Sequence, residues 1–291
     1  MPSQQPPYAF DPSASAGETD ATPRDPAAGA YVRFYEFLVG HTDELPHMLR
    51  LAREATDGAA RILECGTGTG RLGVPLAQAG HRVVGLDRSP SMLARAKQRW
   101  QTAAPPDPHA YQLVEADFAA PPAETVEPNS FDLVIYSSNT LALVTDEMRQ
   151  HAALQAAFAA LRPGGLLMLE QFHPAGFFNE AFRQREWYHQ FTRVNPDTGL
   201  QTSRNISFLH DPVEQHVWGT TLIEEFLPQA EGGGSRRHMF VEHVRYHHVA
   251  ELRLRLRSVG FKRRDVVFYG GHEREGLTPR SLKLVAIARK A

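Results

Sequence analysis

The run Glu64-Cys65-Gly66-Thr67-Gly68-Thr69-Gly70 follows a short apolar pair, Ile62-Leu63, and opens into a segment with helical spacing. An order of strand, glycine turn and helix constrains the fold more than any other feature of the chain. Glycines accept the left-handed backbone of a tight turn and let main chain approach a ligand closely, while the helix start offers unpaired N–H groups. The loop therefore reads as a nucleotide cradle. Its spacing is Gly-x-Gly-x-Gly, and Arg71 stands where a dinucleotide-binding fingerprint places its third glycine. A Rossmann oxidoreductase, or a non-catalytic nucleotide-binding module, is the alternative that Arg71 argues against.

The segments that follow keep one order. Leu72 to Gly80 has the pattern of a helix stopped by glycine, and His81 to Leu86 that of a buried strand ending at Asp87. Asp87 lies roughly 20 residues beyond Gly66, the separation at which a carboxylate closing the second strand meets the ribose hydroxyls of a bound nucleoside. Ser89-Pro90 caps and starts a helix through Trp100. Tyr111 to Glu115 predicts a third strand, ending at Asp117-Phe118, and Phe131 to Tyr136 a fourth, running into Ser137-Ser138-Asn139. The turn Leu161-Arg162-Pro163-Gly164-Gly165 precedes the apolar run Leu166 to Leu169, a fifth strand.

Five signals in this order resemble the class I S-adenosylmethionine-dependent methyltransferases, with the loop as motif I and Glu64 as its acid. The resemblance implies an α/β fold: a doubly wound, seven-stranded, mostly parallel sheet closed by an antiparallel pair, here Val266 to Tyr269 and Leu282 to Ile287. It implies S-adenosylmethionine as cofactor. Glu64, Gly66, Thr67, Gly68 and Gly70 would hold its amino-acid end, Asp87 the ribose with Arg88 and Met92 nearby, and Asp117 and Phe118 the adenine. Tyr136 and Ser137 would flank the methyl. From Tyr31 to Arg289 the chain is similar to glycine and amino-sugar N-methyltransferases, which share a Tyr-x-x-x-Tyr-acid helix before motif I; carried over, that pattern brings Tyr31 and Tyr35 to the sulfonium end, with Glu36 where aspartate is usual. His173, directly after strand five, is the candidate proton acceptor.

Residues 173–247 are more than a plain doubly wound sheet needs. The β-rich runs Arg204 to Leu209, His216 to Leu227 and Arg237 to His247 predict a small antiparallel insertion of three strands after strand five, roofing the acceptor pocket as a lid. Trp218, Leu222 and Phe226 are expected on its buried face. The segment Leu252 to Val259 alternates Leu and Arg like a strand, yet Gly260 and the need for a crossover favour a helix. His238, His243, His247 and His248 lack the cysteines or carboxylates of a metal site, and no metal is expected. Residues 1–29, rich in Pro, Ala, Ser and Asp, are expected to be disordered, leaving 30–291 as the methyltransferase domain. Thr42 is the expected N-cap of a helix with Leu45, Met48, Leu49 and Ala52 as its stripe.

Composition narrows the partners. A net charge of -2 supplies no global field toward nucleic acid, and the basic residues from Arg253 to Arg264 read as a solvated face. No apolar run approaches the ~18 residues of a membrane span, so a cytoplasmic location is expected. The single cysteine, Cys65, lies in the glycine loop, which argues against cytosine C5 chemistry. The acceptor is expected to be a small molecule methylated at N or O by in-line transfer, by a monomer or homodimer. Methylation of RNA or protein is the second reading, against which stands Tyr136-Ser137-Ser138-Asn139 in place of the Asn/Asp-Pro-Pro-aromatic sequence of adenine amino methyltransferases.

Overall fold

The structure, a computed structural model, describes residues 27–39, 42–179 and 182–291. In chain order the elements are α1 (Ala27–Val39), α2 (Leu45–Ala55), β1 (Arg61–Cys65), α3 (Gly73–Gln78), β2 (Arg82–Asp87), α4 (Pro90–Thr102), β3 (Tyr111–Glu115) and β4 (Phe131–Tyr136). A 3-10 turn, Thr140–Leu143, leads to α5 (Glu147–Ala160), β5 (Leu161–Phe172) and the short α6 (Pro174–Phe177). Then come β6 (Trp187–Val194), β7 (Gln201–Asp211), β8 (His216–Phe226), β9 (Ser235–Arg245), α7 (Val249–Ser258), β10 (Val266–Tyr269) and β11 (Lys283–Arg289). The expected disorder of 1–29 falls almost wholly outside the described residues.

The main sheet has the order β10-β11-β5-β4-β1-β2-β3, with β11 antiparallel to both its neighbours and β1 to β5 parallel. Its central strands are apolar on both faces, as a sheet covered on both sides requires. Alternate residues go to opposite cores. Leu63, Val134, Leu167 and Leu284 meet Leu154, Leu252 and Leu256 of α5 and α7, whereas Ile62, Leu133, Met168 and Val285 meet Met48, Leu51, Leu76 and Trp100 of α2, α3 and α4. In α7 the ambiguity resolves as a helix: Leu252 and Leu256 are fully buried while Leu254 is exposed. Ser89 caps α4 by accepting from the Met92 N–H. Thr42 does not cap α2, which begins at Leu45 with the Thr42 carbonyl bonded to the Leu45 N–H. The α2 stripe is Met48, Leu51, Ala52 and Ala55; Leu49 lies at its margin.

The insertion is a second antiparallel sheet of order β6-β7-β8-β9, four strands where three were expected. β6 escaped notice because it is an edge strand exposed over most of its length, so no burial constraint imposes alternation on its sequence. The expected buried face of β8 is also reversed. Val217, Gly219, Thr221, Ile223 and Glu225 are buried; Trp218 and Leu222 are partly exposed and Phe226 is exposed. The inner face packs on α1, where Phe34 meets Ile223 and Phe240, and it carries Glu225 because Arg33 of α1 and His238 of β9 pair with that carboxylate. Trp218 instead stacks on His243 across the outer face, with ring centroids 4.6 Å apart. No helix among the described residues is long and apolar enough to cross a membrane.

Candidate active site

The glycine loop leaves β1 beside β4, where the strand order reverses and open α/β sheets form their ligand crevice. Gly66, Gly68 and Gly70 take left-handed φ of 68°, 55° and 74°. Their surroundings differ. A Cβ on Gly66 would lie 2.5 Å from Thr140 and one on Gly70 3.2 Å from Ala96 of α4, so these glycines permit close packing. A Cβ on Gly68 would meet nothing nearer than the Tyr35 hydroxyl at 3.9 Å. That open side faces a cavity of about 330 Å³.

Asp87 fastens this loop. Its Oδ2 accepts from the Gly68 N–H at 2.8 Å and its Oδ1 from the Ser89 N–H at 2.9 Å. Burial raises its pKa, and the main-chain hydrogen bonds oppose the rise. A carboxylate has about four acceptor positions, so ligand hydroxyls can still be received. Beneath the loop Glu64 accepts from the Thr67 hydroxyl, which lies 2.5 Å from the Tyr111 hydroxyl. Burial lifts Glu64 to about 7, with Thr67 and Arg71 pulling the other way. Arg71 is itself buried, paired with Glu44 and donating to Ser138 Oγ at 2.9 Å.

The cavity is lined by most of the residues expected there: Glu64, Gly66, Thr67, Gly68, Asp87, Arg88, Met92, Asp117, Phe118 and Ser137, with Tyr31 and Tyr35 from α1. Asp117 accepts from the Ala119 N–H at 2.9 Å and pairs with Arg149 of α5. Gly70, Tyr136 and His173 are not in the lining. Tyr136 is fully buried behind Phe118, donating its hydroxyl to the Ala153 carbonyl at 3.0 Å, so it supports the wall rather than flanking a ligand. His173 is buried where β5 gives way to α6, its Nδ1 3.1 Å from the Ser281 carbonyl, and it joins the strand end to the segment before β11. Held there, its side chain is not among those that line the cavity. The histidine group is likewise dispersed: His238 faces Glu225 on the inner face, His243 faces His216 on the outer face, and His247 is buried against Gln171.

Sequence reasoning missed two parts of the wall. Ser138 and Asn139 take left-handed φ of 49° and 65°, uncommon for residues with a Cβ; Asn139 Oδ1 accepts from the Phe172 N–H at 2.7 Å and so locks the ends of β4 and β5 together. The polar Ser-Ser-Asn step after an apolar strand was the available signal. The other part is β9, whose Met239, Phe240, Val241, Glu242 and Val244 close the side opposite the glycine loop. Tyr31 joins them by donating to Glu242 Oε1 at 2.7 Å and by an edge contact to Phe240 with centroids 5.2 Å apart. Burial, then the Glu242 charge, raise the Tyr31 pKa well above the ordinary tyrosine value.

Residues 62–165 match the model of a methyltransferase domain. The cypemycin N-terminal methyltransferase of a Streptomyces species is 27% identical over 230 residues, covering 79% of this chain and 82% of that protein. Matches to glycine N-methyltransferases span about half the length of those relatives. Among solved structures, the CcbJ methyltransferase of Streptomyces caelestis superposes with a TM-score of 0.69 at 25% identity, over 85% of this chain and 94% of that one. CalS10 of Micromonospora echinaspora, an amino pentose methyltransferase with its cofactor bound, has a TM-score of 0.67 at 21% identity and covers 89% of this chain and 96% of its own.

Proposed function

We propose that this chain, which belongs to the class I S-adenosylmethionine-dependent methyltransferases, methylates a nitrogen of a small molecule. The described residues fit the cofactor. Gly68 leaves open the space that a side chain would fill, Asp87 keeps acceptor positions for the ribose hydroxyls, and Phe118 offers an aromatic wall to the adenine with Asp117 beside it. When bound, S-adenosylmethionine supplies an electrophilic methyl on a sulfonium, an excellent leaving group. The residues therefore have to align the acceptor, exclude water and leave its lone pair free.

The observation that carries this reading is the two-sided cavity, with Gly68 and Asp87 on one wall and Tyr31, Phe240 and Glu242 on the other. The second wall comes from the insertion and α1, which shape a chamber for an acceptor within the fold and not an open face for a macromolecule. Its described lining holds no histidine or lysine, which suits an amine that needs only to be neutral more than an alcohol that must lose a proton as it reacts. Calorimetric titration with S-adenosylmethionine and with NAD tests the cofactor. Transfer of labelled methyl to a panel of small amines, their hydroxyl counterparts, peptides with free N-termini and tRNA tests the acceptor. Label entering only the hydroxyl compounds, or only tRNA, would overturn the proposal.

A further inference from the structure

Beyond the cofactor loop, the chamber is bordered by Val144, Phe240 and Val244, with Leu143 and the edge of β9 at Met239 and Val241 exposed at its rim. One carboxylate interrupts it. Glu242 reaches the lining from β9, whereas the other lining acids, Glu64, Asp87 and Asp117, lie on the strand ends and loop of the opposite wall. Glu242 Oε1 takes the Tyr31 hydroxyl at 2.7 Å, and among the described residues nothing donates to its Oε2. Arg204 of β7 is near enough to influence both Glu242 and Tyr31 but makes no ion pair with either, and its Nε is buried without a partner. Glu242 is thus a half-buried carboxylate oriented through one oxygen, with acceptor positions of the other open to a cationic donor in the chamber.

We propose that Glu242 selects the acceptor: its free oxygen receives the ammonium of a cationic amine carried on a compact, largely apolar body. The inference rests on the methyltransferase reading above. At neutral pH such amines arrive protonated and cannot attack. An N–H bond of the ammonium breaks and its proton passes to water. The freed lone pair of nitrogen then forms the bond to the methyl carbon as the carbon–sulfur bond breaks, and that electron pair stays on sulfur. The methylated nitrogen leaves as an ammonium. Tyr31 is a positioning residue, holding the carboxylate through Oε1.

Sinefungin tests this without knowledge of the acceptor, because it carries a protonated amine where the cofactor carries its methyl. S-adenosylhomocysteine, with nothing at that place, is the control. Affinities of both for the wild type and for Glu242→Gln are measured by calorimetry. The expected result is a loss of sinefungin affinity of roughly tenfold or more, the worth of one charge-assisted hydrogen bond, with S-adenosylhomocysteine affinity unchanged. Unchanged S-adenosylhomocysteine affinity also shows that the variant folds; if Glu242→Gln does not fold, Glu242→Asp takes its place with a smaller loss expected. Both ligands binding with their affinity ratio unaltered would overturn the role of Glu242 and leave the methyltransferase reading standing. Failure of both ligands to bind the wild type would overturn that reading itself.

Discussion

Two buried acids of the cofactor wall have different tasks, and each can be tested alone. Asp87 holds the loop through the Gly68 N–H and faces the cavity, so Asp87→Ala removes the loop tether together with the proposed ribose contacts. The expected loss of S-adenosylmethionine affinity is on the order of 2–4 kcal/mol, and wild-type affinity in the variant would end the assignment. Glu64 acts on stability. Its ordinary value of 4.5 rises to about 7 in the fold, so the folded chain binds this proton more tightly than the unfolded chain does. Its favourable contribution is therefore complete below about 4.5, declines as pH rises toward about 7, and changes no further above that. Glu64→Gln removes the titration. Relative to wild type, its melting temperature should be higher at pH 8 than at pH 5, and a pH-independent difference would contradict the sign.

At the level of elements, the parallel core was legible because burial on both faces forces long apolar runs, and each run ends in a polar residue at the crevice: Asp87 at the end of β2, Asp117 after β3, Ser137 after β4. The loop glycines carried the same kind of information, since only a left-handed turn requires them. The second sheet was less legible. Its inner face meets α1 and the cavity, so Thr221 and Glu225 are buried there while Trp218 and Leu222 lie outside, and hydrophobicity alone points to the wrong side of β8. His173 misled for a related reason: position after β5 was readable, but the turn of Pro174 into α6 that directs it to Ser281 was not. The corrected face makes a prediction. Ile223→Ala opens space in a fully buried site between α1 and β9 and should cost about 2–5 kcal/mol by urea denaturation. Leu222→Ala, one residue away on the outer face, should cost clearly less, and the reverse order would restore the original assignment.

The whole molecule is two sheets of unequal security. The main sheet has an extended core on each face, whereas buried apolar contact between α1 and the second sheet rests on Phe34, Ile223 and Phe240, with Tyr31 and Leu38 at its margin, and on the edge contact of Phe37 with Phe191 of β6. Local opening is least costly where few apolar contacts must be broken, so the amides of β7, β8 and β9 should exchange with deuterium faster than those of β1, β4 and β5. The cavity joins the two parts, since Tyr31 and Tyr35 of α1 and Met239 to Glu242 and Val244 of β9 line it together with the glycine loop. A ligand that fills it binds the closed arrangement and not the opened one, and so must slow opening by mass action. With saturating S-adenosylhomocysteine, exchange measured by mass spectrometry should slow in the glycine loop, α1 and β9, and change little in β10 and β11 at the far edge of the main sheet. Protection confined to the glycine loop would mean that the second sheet and α1 do not close over the cofactor, and equal exchange in both sheets before ligand is added would mean that the fold opens as one unit.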